Sequence, residues 1–519
     1  MSARAARSRP QAVVTPTMPA GGPAPAAVPG TDVESRLKIL VLGAEVAPFV
    51  KTGGLADVTG SLPKALAALG HDVRVVMPAY GSIEEARREE RWGLHTHPAR
   101  LRVPVRRGLL DAGVFETVLP GSQVPVYFIA ERNLLGRPSV FGYWDDAYRF
   151  GFYCRAALDL LVAALGWRPD VVHAHDWHAA PAVLWLATGG QADPRYAGLP
   201  TVLTIHNLMH QGNAAWDLLD YLGASGGALR EEGYGTVNVM ARGIYHATMI
   251  NTVSPSYARE IMTREGGAGL DGLLRYRHFD VHGILNGLDY AVWNPATDPH
   301  LAQPYDAASL DRRVANRRAL QERLGLPVRD DVPLVAMVTR LDWQKGLDIT
   351  GHVIHLLLNG HAGGDAQFVL LGSGEARYEQ AFGHLASYHT DSMRAVLAYD
   401  AALAPLIYAG ADLFLMPSLF EPCGLSQLIS MRYGCVPVVR STGGLADTVR
   451  DGVTGFAFHD YTADDFWYAL RRAVFTWRAD GEAWRAMQRH GMATDWSWAA
   501  SARGYEQLFN WAIARVRGW

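Results

Sequence analysis

LKILVLGAEVAPFVKTGGLADV, residues 37–58, decides how the chain is read. Leu37 to Leu42 make a mostly apolar run ending in a glycine turn, which predicts a buried strand of a parallel sheet. GGLADVTGSLPKALAALG, residues 53–70, then reads as a helix, and HDVRVVMPAY, residues 71–80, as the next strand. Further out, VPVYFIA (124–130), DVVHAH (170–175) and TVLTIHN (201–207) are strand-like, with helical material such as RAALDLLVAALG (155–166) between them. Strand and helix alternate, so helices are expected to cover a mostly parallel sheet.

The pattern pauses at NGLDYAVWNPATDP (286–299) and restarts at VPLVAMVTRLDWQKGLDI (332–349). QFVLLGSG, DLFLMPS and CVPVVRS follow as strands with turns at their carboxyl ends. The expected organisation is an amino-terminal tail over 1–36, one α/β domain over 37–290, a second over 291–495 and a final segment over 496–519. That segment contains the amphipathic SWAASARGYEQLFNWAIARV, which either packs locally or crosses back to brace the first domain. Two doubly wound domains bring many strand carboxyl ends to one crevice, where open parallel sheets bind ligands and helix amino termini face anions.

A chain of 519 residues exceeds one ordinary core, and 49% hydrophobic against 19% charged residues excludes wholesale disorder. With 48 basic and 51 acidic side chains the net charge is -3, which argues against a nucleic-acid groove or a polybasic membrane face. Cys154, Cys423 and Cys435 are spaced neither as a disulfide framework nor as a metal knuckle, and suit a reducing cytoplasm. Apolar segments are interrupted before the roughly 20 residues a membrane-spanning helix needs. Residues 1–36 hold Arg4, Arg7 and Arg9 among much Ala, Pro and Gly, and read as a disordered tail. An organellar import peptide is the lesser alternative, because the stretch is basic and begins without acids.

Several strand ends carry candidate chemistry. In Lys51-Thr52-Gly53-Gly54-Leu55-Ala56-Asp57, the glycines permit close backbone approach and Lys51 can meet a phosphate or sugar rim; a tight turn with a solvated lysine is the plainer reading. His173, His175, Asp176 and His178 follow the buried valines of DVVHAH. They suit a hydrogen-bonding sugar pocket with Trp177 as a flat wall, against a structural His–Asp network or a metal site whose spacing matches no known closed pattern. His206 and Asn207 in TIHN can line a sugar or acceptor site, or merely cap a loop. Arg340 and Lys345, five positions apart, can reach one diphosphate, or can be an exposed salt-bridged loop. Gly374 lies in a strand-to-turn glycine pair. Glu421 can accept sugar hydroxyls, Gly424 can open a helix toward an anion, and Cys423 lacks a local base that would make it a nucleophile. Thr442 and Gly443 stand in another glycine-rich loop, with Asp447 supporting its turn.

KTGGLADV, VVHAHDWHA, TIHN, RLDWQKG, PSLFEPCGLSQ and STGGLADTV occur in an order that resembles the bacterial glycogen synthases and plant starch synthases, over about residues 37–510. The resemblance implies a GT-B arrangement: two Rossmann-like domains facing a cleft, the first taking the glucan acceptor and the second the nucleotide sugar. It implies transfer of glucose from ADP-glucose to the non-reducing 4-hydroxyl of an α-1,4-glucan with retention, with no cofactor and no metal. It also implies that His175, Arg340, Lys345 and Glu421 act at the reaction centre. By the same resemblance Lys51, Cys423 and Gly424 lie at the donor; the reading of the residues themselves adds Gly53, Gly54, Gly374, Thr442 and Gly443 as donor-binding candidates, and Asp57, His178, His206 and Asn207 as candidates for a sugar or acceptor site. The family's carboxy-terminal segment returns to the first domain.

Pro405 and Leu406 stand where many relatives carry His-Arg, and Leu419 where PSRFEP has Arg, which bears on the nucleotide contacts. Ile429, eight positions after Glu421, occupies the place of a second acid found in other GT-B enzymes. The alternatives are a GT-B transferase with another nucleotide sugar or acceptor, and a catalytically weak glucan-binding regulatory protein.

Overall fold

Strand β1 (Lys38–Leu42), buried except at its first residue, lies inside a nine-stranded sheet in the computed structural model. The structure describes residues 36–106, 108–224 and 235–518, so the amino-terminal tail lies outside the described residues except for Arg36. β2 (Asp72–Pro78), β3 (His95–Val105), β4 (Gly108–Val118) and β5 (Pro125–Ala130) complete one side of the sheet. β6 (Val171–His175) and β7 (Thr201–Ile205) begin the other side. A separate ribbon is formed by β8 (Asn213–Ala215) and β9 (Thr236–Asn238), and the sheet resumes with β10 (Met249–Thr252) and β11 (Val281–Gly283). The order across the sheet is β11-β10-β7-β6-β1-β2-β5-β4-β3, parallel except where the long β4 pairs antiparallel with β3 and β5.

The second lobe has six parallel strands: β12 (Leu334–Val338), β13 (Gln367–Leu371), β14 (Met393–Val396), β15 (Leu413–Met416), β16 (Val436–Arg440) and β17 (Phe456–Phe458). Their order is β14-β13-β12-β15-β16-β17. Alternate side chains of β12 divide between two cores: Leu334 and Ala336 enter one, Val335 and Met337 the other. This is the period of two expected of a strand buried on both faces, and it explains the nearly continuous apolar run in the sequence.

Both sheets reverse their strand order beside their first strand, between β1 and β6 and between β12 and β15. Ligands of doubly wound sheets bind outside the strand carboxyl ends at such switch points. His175 is the last residue of β6, and the loops that leave β1, β12 and β15 carry Lys51, Lys345 and Glu421.

The chain crosses between lobes twice, and the crossings touch. Leu288 N donates to Trp496 O at 2.6 Å. A Cβ on Gly287 would stand 2.6 Å from Trp498 backbone atoms, so only glycine lets the two passes lie this close. The helix Trp498–Arg517 buries Tyr505, Leu508 and Phe509 in the first-lobe core. Tyr505 OH donates to Asn251 Oδ1 at 3.0 Å, and Ser501 Oγ to Leu285 O at 2.7 Å, which ties the end of the chain to the first lobe. Among the described residues, no helix is long and apolar enough to cross a membrane.

Candidate active site

The loop after β1 is held by a residue that sequence reasoning missed. Glu45 is buried, and its Oε2 accepts from Thr52 N at 2.5 Å and Gly53 N at 3.1 Å. Its only signal in the sequence is an acid inside an otherwise apolar AEVAPF stretch. The loop presents Lys51, whose Nζ lies 2.7 Å from Asp57 Oδ1, one turn into the helix Gly54–Ala68. Burial raises the Asp57 carboxyl above its usual range, and Lys51 offsets part of that rise. Among the described residues, nothing beyond the adjoining chain comes within 4 Å of where a Cβ would stand on Gly53 or Gly54, so tertiary packing does not demand glycine there.

At the ends of β6 and β7 a line of imidazoles is linked side to side. His173 Nε2 meets Thr204 Oγ1 at 2.7 Å, and Thr204 donates on to Asn251 Oδ1 at 2.9 Å. His175 Nδ1 meets His206 Nε2 at 2.9 Å, with the His173 and His175 rings 4.1 Å apart. His175 is wholly buried, and among the described residues its Nε2 has no hydrogen-bond partner. Burial, reinforced by His173 and His206, keeps its pKa well below the usual imidazole value, so it is neutral. Burial likewise lowers His173, His178 and His206 to about 3.

Asp176 follows with φ +56, a left-handed conformation uncommon for a side-chain-bearing residue. Its Oδ1 accepts from His206 N at 2.7 Å, and burial raises its carboxyl to about 7 against that bond. His178 packs between Trp177 and Phe150, with Phe141 on its outer side at 5.7 Å. Asn207 Oδ1 accepts from Met209 N at 3.1 Å, capping its own loop. Among the described residues, no group of three His, Cys, Asp or Glu converges in a way that could hold a metal ion.

The second lobe supplies the cations. Asp342 Oδ1 accepts from Gln344 N at 3.0 Å and opens a short turn that aims Lys345 back at the loop after β15. Lys345 Nζ lies 2.8 Å from Glu421 Oε2, and both side chains are largely buried. Ser418 Oγ donates to the same oxygen at 3.0 Å. Arg340 is mostly exposed, with its guanidinium 3.4 Å from Asp342. Gly374 N donates to Glu379 Oε1 at 2.9 Å, and Gly424 adopts φ +73 in the turn before the helix Ser426–Arg432. Cys423 is buried and its thiol is pushed up to about 12 by burial, which leaves no thiolate near neutral pH. Pro405 and Leu406 are buried in the helix Leu403–Gly410, and Leu419 sits on the loop through its backbone bond to Gln344 O at 2.8 Å.

The lobes meet along the helix Pro255–Glu260 of the first. Ser254 Oγ donates to Pro422 O at 2.6 Å, and Ser256 donates through N and Oγ to the two Asp447 oxygens at 2.8 and 2.7 Å. Glu260 Oε1 accepts from Gly443 N at 2.7 Å and Thr442 Oγ1 at 3.1 Å. Two expected donor-site groups therefore hold a first-lobe carboxylate here, a contact that no local motif announces. Burial, and then the charge of Arg340 on the loop after β12, lower the pKa of His210 on the loop after β7.

Paired switch points with sugar-type hydrogen-bonding groups on one lobe and cations on the other form a cleft suited to an anionic sugar donor. The sequence pattern described as starch synthase catalytic domain matches residues 38–276, and that of glycosyl transferases group 1 matches 332–474. A glycogen synthase from Moorella thermoacetica is 45% identical over 491 residues, covering 93% of this chain and 98% of that relative. The chain belongs to the glycogen and starch synthase family. A glycogen synthase from an Anaeromyxobacter species is 46% identical over 487 residues, covering 91% of this chain and 99% of its own length. The catalytic domain of starch synthase IV from Arabidopsis thaliana, solved bound to ADP and acarbose, matches with a TM-score of 0.84 at 34% identity over 93% of this chain and 100% of that one. A sucrose-phosphate synthase from Thermosynechococcus elongatus shares the fold alone, with a TM-score of 0.56 at 18% identity over 92% of this chain and 100% of its own. This family member is thus a glycosyltransferase with the GT-B arrangement.

Proposed function

We propose that the protein lengthens an α-1,4-glucan by moving glucose from ADP-glucose to the 4-hydroxyl of a non-reducing end, with retention at the anomeric carbon. The observation that carries this reading is the largely buried Lys345–Glu421 pair at 2.8 Å, held at the switch point of the second sheet, with His175 at the strand end beside the switch point of the first. Membership of the family supports it, and so do the ADP and acarbose named for the Arabidopsis structure.

Breaking the glucose–diphosphate bond develops positive charge on the sugar and negative charge on the departing oxygen. Lys345 and Arg340 stabilise that departing charge as it grows, which is where binding lowers the barrier. Glu421 and the neutral His175 orient sugar hydroxyls, and Lys51 meets the donor from the first lobe. The departing phosphate takes the acceptor proton, so no protein base is required, and front-face attack gives retention. Glu421 Oε2 already accepts from Lys345 and Ser418, which weakens it as a nucleophile and disfavours a double displacement. Closure of the lobes excludes water and favours transfer over hydrolysis. The scheme uses no cofactor or metal, and involves neither nucleic acid nor a membrane. The buried free thiols Cys154, Cys423 and Cys435 fit a reducing cytoplasm.

Glycogen incubated with labelled ADP-, UDP- and GDP-glucose tests the proposal. Elongation from ADP-glucose, with the label removable by β-amylase, is expected. Preference for another donor would point to nucleotide contacts altered at Pro405, Leu406 and Leu419. Glycogen binding with no elongation from any donor would make the protein a glucan-binding scaffold.

A further inference from the structure

Trp144 stands 92% exposed on a loop that is otherwise tightly held. Arg137 grips Asp145 through two bonds of 2.6 and 2.7 Å. The amides of Gly142 and Tyr143 donate to Asp146 Oδ2 at 2.7 and 3.1 Å, and the buried Arg149 guanidinium lies 4.6 Å from the Tyr143 ring centre. Among the described residues no hydrogen bond or ring contact engages this side chain, so a large apolar ring held in water adds little to folding.

The position of the loop gives the ring a use. The loop leaves the carboxyl end of β5 and leads into the helix Asp146–Leu158, so Trp144 stands on the side of the first sheet where the Lys51 loop emerges and β6 ends at His175. Arg137 O accepts from Gly81 N at 3.0 Å, joining this loop to the one after β2. Phe141, itself partly exposed, packs on His178, in the first turn after β6. Tyr276 and Phe279 are also highly exposed, but they precede β11 and lie at the amino ends of the parallel strands, away from the cleft.

We propose that Trp144 is a stacking platform on the rim of the cleft that holds the glucan acceptor several residues back from its reacting end. A pyranose face rich in C–H groups covers an indole ring without displacing any protein contact. This rests on the acceptor being an α-glucan. Glycogen and long oligosaccharides reach the platform, whereas maltotriose bound at the reacting end does not.

Two measurements separate this proposal from the reading it rests on. Retardation in native gels containing glycogen reports glucan binding without turnover: Trp144→Ala is expected to lose most of it, Trp144→Phe to keep most of it, and Phe279→Ala to match the wild type. In initial-rate assays Trp144→Ala should raise KM for glycogen about tenfold, with a much smaller change for maltotriose. Unchanged retardation in Trp144→Ala, or an equal rise in KM for both acceptors, would overturn the platform while leaving the transferase reading intact. Wild-type protein that is retarded yet transfers nothing would overturn the transferase reading and leave the platform standing.

Discussion

Lys345 and Glu421 face each other across 2.8 Å with both side chains largely buried, and the proposed reaction gives each a second task. Removing one member of such a pair leaves a buried charge unpaired, which typically costs about 3–5 kcal/mol. Removing a well-placed donor to a growing negative charge costs about 10²–10³ in turnover. Lys345→Ala is therefore expected to lower kcat by about 10²-fold or more at saturating donor and glucan, together with a lower midpoint in urea. Turnover equal to wild type would reject the assigned role whatever the stability. The cations were legible in the sequence because RLDWQKG places them directly after an apolar strand. Their pairing with Glu421 was not, since the partners stand 76 positions apart and meet only when β12 and β15 lie side by side.

Turns, rather than helices or strands, carry most of the site, and their glycines divide into two kinds. Gly443 has φ +46, and a Cβ there would stand 2.0 Å from the Glu421 carbonyl oxygen, at the contact between two strand-end loops. Gly443→Ala is expected to destabilise the protein by more than about 2 kcal/mol and to displace Glu421. Gly53→Ala meets no neighbour, so its stability should stay within about 0.5 kcal/mol of wild type while KM for the donor rises. Urea titrations of both variants check the contrast; equal destabilisation would contradict it. β1, β6, β12 and β15 could be read directly because each begins as an apolar run and gives way to a glycine turn or to polar residues. The antiparallel β3–β4 edge and the Glu260 contact could not: the edge strands mix exposed and buried residues, and Glu260 meets Gly443 183 positions away.

Taken as one body, the protein keeps a row of imidazoles neutral at the centre of its first lobe. His173, His178 and His206 titrate near 6.5 when unfolded and at about 3 when folded. The stability they contribute is full above pH ~6.5 and is lost as pH falls toward their folded values, by about 1.4 kcal/mol per pH unit for each imidazole. Asp176 acts oppositely: with its carboxyl raised to about 7, it favours the folded state at low pH and loses that contribution as pH rises. Three imidazoles outweigh one carboxyl, so the melting temperature should fall steadily from pH 6.5 to 4.5; a flat profile would contradict the buried neutral row. The proposed reaction needs the same lobe to bring that row to the sugar while the other grips the diphosphate. A crystal structure with ADP-glucose and a short maltooligosaccharide tests this most directly. The account predicts His175 Nε2 on a glucosyl hydroxyl and Lys345 and Arg340 on the diphosphate, all around one donor; a nucleotide sugar held by one lobe alone, with His175 and Lys51 turned from it, would contradict it.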